Sequence, residues 1–382
     1  MPQTVTLPLK RFSVKLKGGF NEPEYNNKQV THHNHFVPQF YLRNWSSNGN
    51  SLWDYKLVVE DDREKTWRTT SLKTACTWND LYTQRTAGSD VDDIENYFCD
   101  EYEAPASAIL RKISSGAALS KNDINCLVDF WLIQHFRTPA YLIKNAKLTE
   151  EVFEEITNQI PDIVSNYFYE KELGIAHPVV HKPEQFNPFP VQPIEADIDF
   201  ETGTITSSIV LGRASFLSSI ASFVNGSVGN RVRNFNWTIV RPPREHSFLS
   251  SDNPAIAFGA YKDNKIEVDG IGLGRRNVTL VLPLTPDAAL FTEVGALPFD
   301  IPEQLSVRQC ELINQAIYRG AYRHIFSKKK IPNIKSNYPR VISRAIVEED
   351  RKLRENWASS QAAAEEQHEA WLAARNGTQG SE

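Results

Sequence analysis

The sequence predicts an α+β protein, built as a mainly helical single domain with an antiparallel sheet in its second half and a C-terminal accessory helix. Three observations support this fold class. Apolar residues recur at helical spacing between residues 90 and 172, and short apolar runs typical of strands dominate between residues 237 and 284. The last segment combines apolar residues seven apart with intervening acidic residues. With 382 residues and a hydrophobic content of 41%, the chain can bury a substantial core.

The composition excludes several classes of protein. A net charge of −5 argues against a protein that coats nucleic acid along its whole surface, although a local basic patch is compatible with it. The cysteines lie far apart and form no C-x-x-C pair, so we expect reduced thiols rather than a disulfide scaffold. We find neither a signal peptide nor the ~20 consecutive apolar residues that a membrane span needs. We therefore expect a cytoplasmic protein that does not bind membranes.

The sequence divides into three parts. Residues 1–30, in which basic and apolar residues alternate, are expected to form an N-terminal arm. Residues 31–346 would form the α+β domain. Residues 347–382 would form an amphipathic helical tail with a weak heptad pattern, which could dock on the domain, recruit a partner or mediate self-association.

The first half of the domain is expected to begin with a hairpin. Residues 53–59 alternate as in a half-buried strand, and residues 65–70 would pair with them in antiparallel orientation. A helix capped at Ser89 or Asp90 would follow and end at Gly116, because glycine readily adopts the left-handed conformation that closes helices.

A second helix is predicted to be the centre of the core. Ser120 is a good N-cap, and apolar residues surround the whole circumference of the helix rather than one stripe. The helix should end near Thr138, since Pro139 disfavours helical geometry in the residue before it. Another helix is expected over residues 149–172.

The second half of the domain is expected to be rich in strands. The proline-rich residues 177–193 would cross the surface as an extended connector or a lid, and a helix over residues 209–224 would follow. One antiparallel sheet should contain strands at residues 237–240, 248–250, 255–258, 266–268 and 278–284. A helix over residues 305–326 would complete the domain.

Clustered histidines are the first candidate for chemistry. In an extended chain His33 and His35 would face the same side, where two imidazoles can bind a metal or exchange protons. A zinc site normally recruits further ligands, which spacing alone does not identify here. We favour hydrogen-bonded or surface histidines and predict no metal site.

Polar residues at the end of the buried helix are the second candidate. Gln134, His135 and Arg137 emerge where the surroundings should be apolar, and a buried guanidinium is costly without a partner. Arg137 could pair with a carboxylate or cap helix carbonyls in a structural network. It could equally form a pocket for an anion or a substrate. The residues alone leave both interpretations open.

A polar run after a predicted strand is the third candidate. Because Pro254 forces Asn253 toward an extended conformation, Asp252 and Asn253 could turn toward a common cleft, although a simple Asx turn is the alternative. The Ser-Asp-Asn triplet occurs in serine β-lactamases, but the upstream S-x-x-K and the K-T-G motif of those enzymes are absent. The glycine-rich Gly270–Gly274 lacks the following helix of a phosphate loop and indicates a hairpin turn.

Basic and aromatic residues are mixed between residues 231 and 244. They are Arg231, Arg233, Phe235, Trp237, Arg241 and Arg244. Such a surface could hold a phosphate backbone and stack a base. We favour a solvated strand edge that is protected by charge, because the acidic protein offers no wider electrostatic support.

Four separated motifs carry a family resemblance. They are His35-Phe36-Val37-Pro38-Gln39-Phe40-Tyr41-Leu42-Arg43-Asn44-Trp45, Gln134 with Arg137-Thr138-Pro139, Ser251-Asp252-Asn253-Pro254, and Leu282-Pro283-Leu284-Thr285-Pro286. In this order, over residues 32–327, they resemble a bacterial family catalogued as domain of unknown function 4238. The resemblance implies no established reaction. It implies that an acidic helix with Glu95 and Glu103 brings carboxylates within reach of Arg43 or Arg137.

Two functions are compatible with these residues. The first is a hydrolase or transferase that acts on a phosphate-containing substrate, such as a nucleotide or a nucleic acid. Its catalytic residues would be His35 and Asp252, and its substrate-binding residues would be Arg43, Gln134, Arg137 and Asn253. We expect His35, Arg43, Gln134, Arg137 and Asp252 to converge on one cavity, and the sequence identifies no cofactor. The alternative is a non-enzymatic binding module, for example in bacterial stress or phage defence.

Overall fold

The computed structural model describes residues 31–86, 89–144, 195–199, 204–208, 213–260, 266–268, 271–297 and 301–378. The fold is mixed α+β, with several antiparallel sheets. The arm predicted at residues 1–30, the helix at 149–172 and the connector at 177–193 lie outside the described residues. None of the helices in the described part of the chain combines the length and the apolar character of a membrane span.

The helices are α1 (Gln39–Leu42), α2 (Asp93–Phe98), α3 (Ala104–Ser114), α4 (Lys121–Phe136), α5 (Arg213–Asn225), α6 (Ser227–Arg233), α7 (Val307–Gly320), α8 (Ile334–Asn337) and α9 (Arg344–Thr378). A 3-10 turn over Arg43–Trp45 extends α1, and a π-helical turn over Cys99–Glu103 joins α2 to α3. The helix predicted up to Gly116 is therefore one helical unit with an internal irregularity. It begins at Asp93, because residues 89–91 form a strand.

The strands are β1 (His33–His35), β2 (Ser51–Lys56), β3 (Val58–Val59), β4 (Arg68–Ser71), β5 (Thr77–Asn79), β6 (Gln84–Thr86), β7 (Ser89–Val91), β8 (Glu195–Asp199), β9 (Thr204–Ser208), β10 (Thr238–Val240), β11 (Ser250–Ser251), β12 (Ile256–Ala260), β13 (Ile266–Glu267), β14 (Val278–Thr285), β15 (Ala288–Glu293), β16 (His324–Ser327) and β17 (Val341–Ile342). An antiparallel five-stranded sheet has the order β10-β15-β14-β12-β13, and a second antiparallel sheet has the order β11-β16-β2-β4. Two-stranded pairs join β1 to β5, β6 to β7, β8 to β9 and, in parallel orientation, β3 to β17.

Helix α4 forms where the sequence predicts it. The Ser120 hydroxyl accepts a hydrogen bond from the Asp123 amide at 3.1 Å, and the Asp123 carboxylate accepts one from the Ser120 amide at 2.8 Å. This capping box satisfies two amides that the first turn leaves without a helical partner. The helix ends at Phe136, before Pro139, and its apolar residues are buried around the circumference, as predicted.

The five-stranded sheet separates two layers of helices. Side chains alternate between the faces of β14, so Leu280 and Leu282 pack in the core cluster that contains α4, whereas Val281 packs in the cluster that contains α7. The Trp131 indole of α4 donates a hydrogen bond to the Val281 carbonyl at 3.0 Å. The sheet therefore has a fixed position against α4, and the C-terminal end of α4 lies beside it.

The predicted helix over residues 305–326 is too long. Helix α7 ends at Gly320, and Ile325 and Phe326 lie in β16. The Asp252 carboxylate accepts backbone hydrogen bonds from the turn between these elements, which competes with further helical bonding. The strand predicted at residues 248–250 consequently pairs with β16 instead of joining the larger sheet.

Helix α9 is docked on the domain through part of its length. Trp357 is only 5% exposed, lies edge-on to the Trp78 ring at 5.9 Å and donates its indole hydrogen to the Asp80 carbonyl at 3.2 Å. The Gln361 side chain accepts a hydrogen bond from the Arg213 amide at 2.6 Å. The predicted heptad positions Ala364 and Trp371 lie outside the residues whose side chains the structure describes.

Candidate functional site

The end of α4 directs polar side chains to two different places. Gln134 and Arg137 are three residues apart, so they share one side of the helix and enter the protein core. His135 and Phe136 line a cavity of about 800 Å³ on another side. Two separate polar environments therefore meet at this helix end, and we call them the Arg137 cluster and the cavity.

The Arg137 cluster is buried and contains an ion pair, although Nη2 of Arg137 and Oε2 of Glu95 have no hydrogen-bond partner among the described residues. Arg137 is 0% exposed, and its Nη1 atom lies 2.8 Å from the Glu103 carboxylate. Its Nε donates to the Gln134 side-chain oxygen at 3.3 Å, and its guanidinium lies 5.4 Å from the centre of the Phe98 ring. Gln134 in turn donates to the Phe36 carbonyl at 2.7 Å. The expected carboxylate partner of Arg137 is thus Glu103, which the π-helical turn presents.

Two further titratable groups flank this ion pair. Burial raises the pKa of Glu95 to about 7, with repulsion from Glu103 adding to the rise and attraction to Arg137 opposing it. Burial lowers the pKa of His35, whose Nε2 lies 3.3 Å from the Leu72 carbonyl, an acceptor that opposes the lowering. Desolvation therefore favours the neutral form of both groups, and the cluster carries little net charge.

The cavity has a basic lining. Its walls come from the end of α4 and the residues after it, from α5, α6 and β12, and from segments 271–274 and 319–323. Its basic side chains are Lys144, Arg231, Arg319 and Arg323. No carboxylate lines it among the residues that the structure describes. Aromatic and aliphatic side chains form most of the remaining surface, so the cavity suits a ligand that has both an anionic and an apolar part.

His135 is held in one tautomer at the cavity wall. Its Nδ1 lies 2.7 Å from the Ala255 carbonyl, which can only accept, so Nδ1 carries the hydrogen. Its ring is stacked on Trp131 with centroids 4.7 Å apart and planes 11° apart. Burial lowers the pKa of His135 to about 4, the Ala255 carbonyl opposes this, and nearby Lys144 contributes to the lowering. The ring is therefore a neutral acceptor.

Asp252 and Asn253 hold the wall of the cavity. The fully buried Asp252 carboxylate accepts backbone hydrogen bonds from Tyr322, Arg323 and His324 at 2.8, 2.7 and 3.1 Å. The Asn253 side chain donates to the Gly320 carbonyl at 2.7 Å and accepts from the hydroxyl of Thr138, the residue after Arg137, at 3.0 Å. These contacts use much of the hydrogen-bonding capacity of both side chains.

The arginines of the same wall are also anchored. Arg319 donates to the Ile266 carbonyl at 2.8 Å. Arg323 donates to the Tyr322 carbonyl at 2.8 Å and its guanidinium lies 4.0 Å from the centre of the Tyr322 ring, while its Nη2 is 3.8 Å from the Asp350 carboxylate. The positive charge of the wall is therefore fixed in position by neighbouring backbone and by α9.

The structure brings some of the sequence-predicted site residues together and separates others. His35, Gln134 and Arg137 belong to the Arg137 cluster, whereas Asn253 lines the cavity and Asp252 holds its wall. Arg43 is exposed on the 3-10 turn after α1 and belongs to neither. The five residues that were expected to converge, which did not include Asn253, are therefore not all found in either environment. Among the described residues, there is no group of three or more side chains suited to hold a metal ion.

Sequence reasoning missed most of the basic residues of the cavity. Arg231 was noted only as part of a mixed basic and aromatic stretch, in which Arg233 instead pairs with Asp129 at 2.6 Å. Arg319 and Arg323 flank the point where α7 ends, which the apolar spacing does not mark. The best available signal was the glycine-rich run, since Gly274 packs against Arg231 at the cavity.

Comparison with known proteins identifies the family of the chain. No curated protein and no solved structure matches it. The family described as "Protein of unknown function (DUF4238)" matches residues 33–331, which is more than half of the chain. The match includes both polar environments at the end of α4, from His35 to Arg323. The chain therefore belongs to the DUF4238 family of proteins of unknown function.

Proposed function

We propose that the protein binds a phosphate-containing ligand of nucleotide size in the cavity. The observation that carries this proposal is the basic lining, which includes Arg231, Arg319 and Arg323 and contains no carboxylate among the described residues. Arginine side chains suit phosphate because their planar fork can donate two parallel hydrogen bonds to its oxygens. The volume of about 800 Å³ falls within the range of roughly 300–1,000 Å³ that is usual for small-molecule sites.

The apolar part of the lining favours a nucleotide over a free phosphate ion. Phe136 and Phe223 are stacked with ring centroids 4.9 Å apart and planes 11° apart, and Tyr141 lies edge-on to Phe136 at 5.0 Å. These side chains line the same cavity as the basic residues. Bases and ribose supply planar and apolar surface that such walls can bury, whereas inorganic phosphate does not.

The proposal extends from binding to catalysis if the protein also converts the bound ligand. A hydrolase or transferase would use a proton acceptor in the cavity, and neutral His135 is the imidazole that lines it, with a lowered pKa that makes it a weak base. His135 would replace His35 and Asp252 in this role, because neither of those residues lines the cavity. A non-enzymatic binding module, the alternative, would use the same cavity without turnover. Binding is common to both, so it is the first property to test.

A calorimetric titration of the purified protein tests the proposal directly. We expect at least one of the adenosine phosphates, the guanosine phosphates and pyrophosphate to bind. Arg231→Gln should weaken this binding about tenfold, which corresponds to ~1.4 kcal/mol. Arg276→Gln is the matched control. Arg276 is exposed and lies two residues after Gly274, the glycine that packs against Arg231, but it does not line the cavity. Absence of binding by every phosphate compound, or equal losses in both variants, would refute the proposal. Release of phosphate from a bound nucleotide would then favour an enzyme.

A further inference from the structure

The proton position on His135 restricts what the ligand can be. Because Nδ1 donates to the Ala255 carbonyl, Nε2 of the neutral ring has a lone pair and no hydrogen. A deprotonated phosphate oxygen is also an acceptor, so it would gain no hydrogen bond from this atom. His135 therefore differs from the arginines of the cavity, since it selects a ligand group that donates a hydrogen bond.

The surroundings of the ring determine which edge can meet a ligand. Trp131 covers one face of the imidazole, and the Nδ1 edge points to Ala255. His135 nevertheless lines the cavity. The edge that carries Nε2 is left for contact with a ligand, and an acceptor at the wall of an apolar cavity needs a donor to offset its loss of water.

The aromatic residues lie beside this acceptor. Phe136 follows His135 in the chain, with ring centroids 4.9 Å apart, and it stacks on Phe223. Three of the four basic residues come from other elements, namely Arg231 from α6, Arg319 from α7 and Arg323 from the turn before β16. The part of a ligand next to His135 would thus carry a donor and could place planar or apolar surface against the aromatic rings, while its phosphates could reach the arginines. Lys144, the fourth basic residue, lies near His135.

We propose that the cavity takes a nucleoside phosphate whose base or sugar donates a hydrogen bond to Nε2 of His135. This inference rests on the proposed function and adds the class of ligand and the residue that distinguishes a nucleoside phosphate from pyrophosphate. An exocyclic amine, a ring N–H group or a ribose hydroxyl supplies the donor. A site built to bond such a donor discriminates strongly against analogues that lack it, because its buried acceptor is then left unpaired.

The test compares ligands and one variant of the full chain. In the parent protein, calorimetry should show at least one nucleoside diphosphate binding tenfold or more tightly than pyrophosphate. His135→Phe keeps a ring against Trp131 but removes the acceptor, so this preference should disappear. If the parent protein binds pyrophosphate at least as tightly as every nucleoside diphosphate, this inference is wrong while the proposed function survives. If no phosphate compound binds, the proposed function itself fails.

Ligand analogues make the test independent of folding. His135→Phe also removes the hydrogen bond to the Ala255 carbonyl, so the variant could lose stability. Dideoxynucleotides, nucleotides with a dimethylated exocyclic amine and nucleotides with an N-methylated base ring remove the three kinds of donor from the ligand instead. We expect one of these changes to abolish the preference over pyrophosphate in the parent protein. If the preference persists with every donor removed, His135 does not select the ligand.

Discussion

The Tyr322 hydroxyl donates a hydrogen bond to the Asp350 carboxylate, which connects the cavity wall to helix α9. Asp350 also lies 3.8 Å from Nη2 of Arg323 and 3.2 Å from Nε of Arg354. Asp350→Ala should release Tyr322 and Arg323, lower the free energy of unfolding by about 1.5–3 kcal/mol and weaken pyrophosphate binding severalfold. Denaturant unfolding and calorimetry measure the two effects. The exposed neighbour Glu349, changed to Ala, is the control, and equal binding by both variants would show that α9 does not position the wall.

Two glycines of one turn should respond differently to the same substitution. A Cβ atom on Gly274 would lie 2.7 Å from Nη1 of Arg231, whereas nothing lies within 4 Å of one on Gly272. Gly274→Ala should therefore displace the Arg231 guanidinium at little cost in stability, because the end of a long side chain can move. We expect several-fold weaker pyrophosphate binding by Gly274→Ala and unchanged binding by Gly272→Ala. Identical affinities would mean that the position of Arg231 does not matter for the ligand.

Removal of the buried guanidinium should destabilise the protein. Arg137→Ala leaves the Glu103 carboxylate, whose side chain is 19% exposed, without its partner, which costs roughly 3 kcal/mol, the lower end of the range for buried pairs. The control is Arg111→Ala, because Arg111 is exposed on α3. Arg137→Lys keeps the positive charge but loses the planar fork of the guanidinium. The folded fraction of this variant should bind pyrophosphate with the affinity of the parent protein. Loss of binding with an intact fold would instead return Arg137 to the binding site that the sequence predicted.

The protonation of Glu95 should make stability depend on pH. Its pKa is about 7 in the folded protein, above the value of ~4.3 for an unfolded chain, so the folded state retains a proton between these values. The resulting stabilisation is complete below the unfolded pKa and is lost as pH rises through 7. Glu95→Gln mimics the protonated form. We expect its free energy of unfolding to rise relative to the parent by about 2–3 kcal/mol between pH 5 and pH 8. A constant difference across this range would place the pKa near its usual value.

Helix α9 should contribute to the stability of the domain. The sequence pattern describes residues 347–382 as a separable tail, yet the buried Trp357 packs with the main core cluster. Trp357→Ala should cost about 3–5 kcal/mol in the free energy of unfolding. Leu353→Ala, on the exposed part of the same helix, should cost much less. Similar small losses for both variants, measured by denaturant unfolding, would indicate that the docking of α9 is dispensable.

Local sequence signals predicted the elements whose causes are local. Ser120 and Pro139 bracket α4 in the sequence, and both act within one turn of the helix ends. The end of α7 has a distant cause, because the Asp252 carboxylate binds amides some seventy residues later in the chain. Apolar residues at helical spacing continue to Phe326, so the spacing alone does not mark this change, although Gly320 is a local stop signal of the same kind as Gly116.

The same distinction between local and distant causes applies to the candidate site. The polar residues from Gln134 to Arg137 are close together in the sequence, so they could be recognised as a polar helix end. The family resemblance predicted that Glu103 would come within reach of Arg137, and the two side chains form an ion pair. Spacing within one segment could not show that neighbouring residues of this run face different environments. Nor could it reveal a cavity whose arginines come from separate elements, because that arrangement depends on tertiary packing.

The pairing of β2 with β16 has a consequence for synthesis of the chain on the ribosome. Asp54 of β2 and His324, the first residue of β16, are joined by a hydrogen bond across 270 residues of sequence. At roughly 5–20 residues per second, β16 is made on the order of 13–54 s after β2. During that interval the edge of β2 that later pairs with β16 cannot form its native hydrogen bonds. The nascent chain must therefore keep an unpaired strand edge from associating with other chains until translation has nearly reached α9.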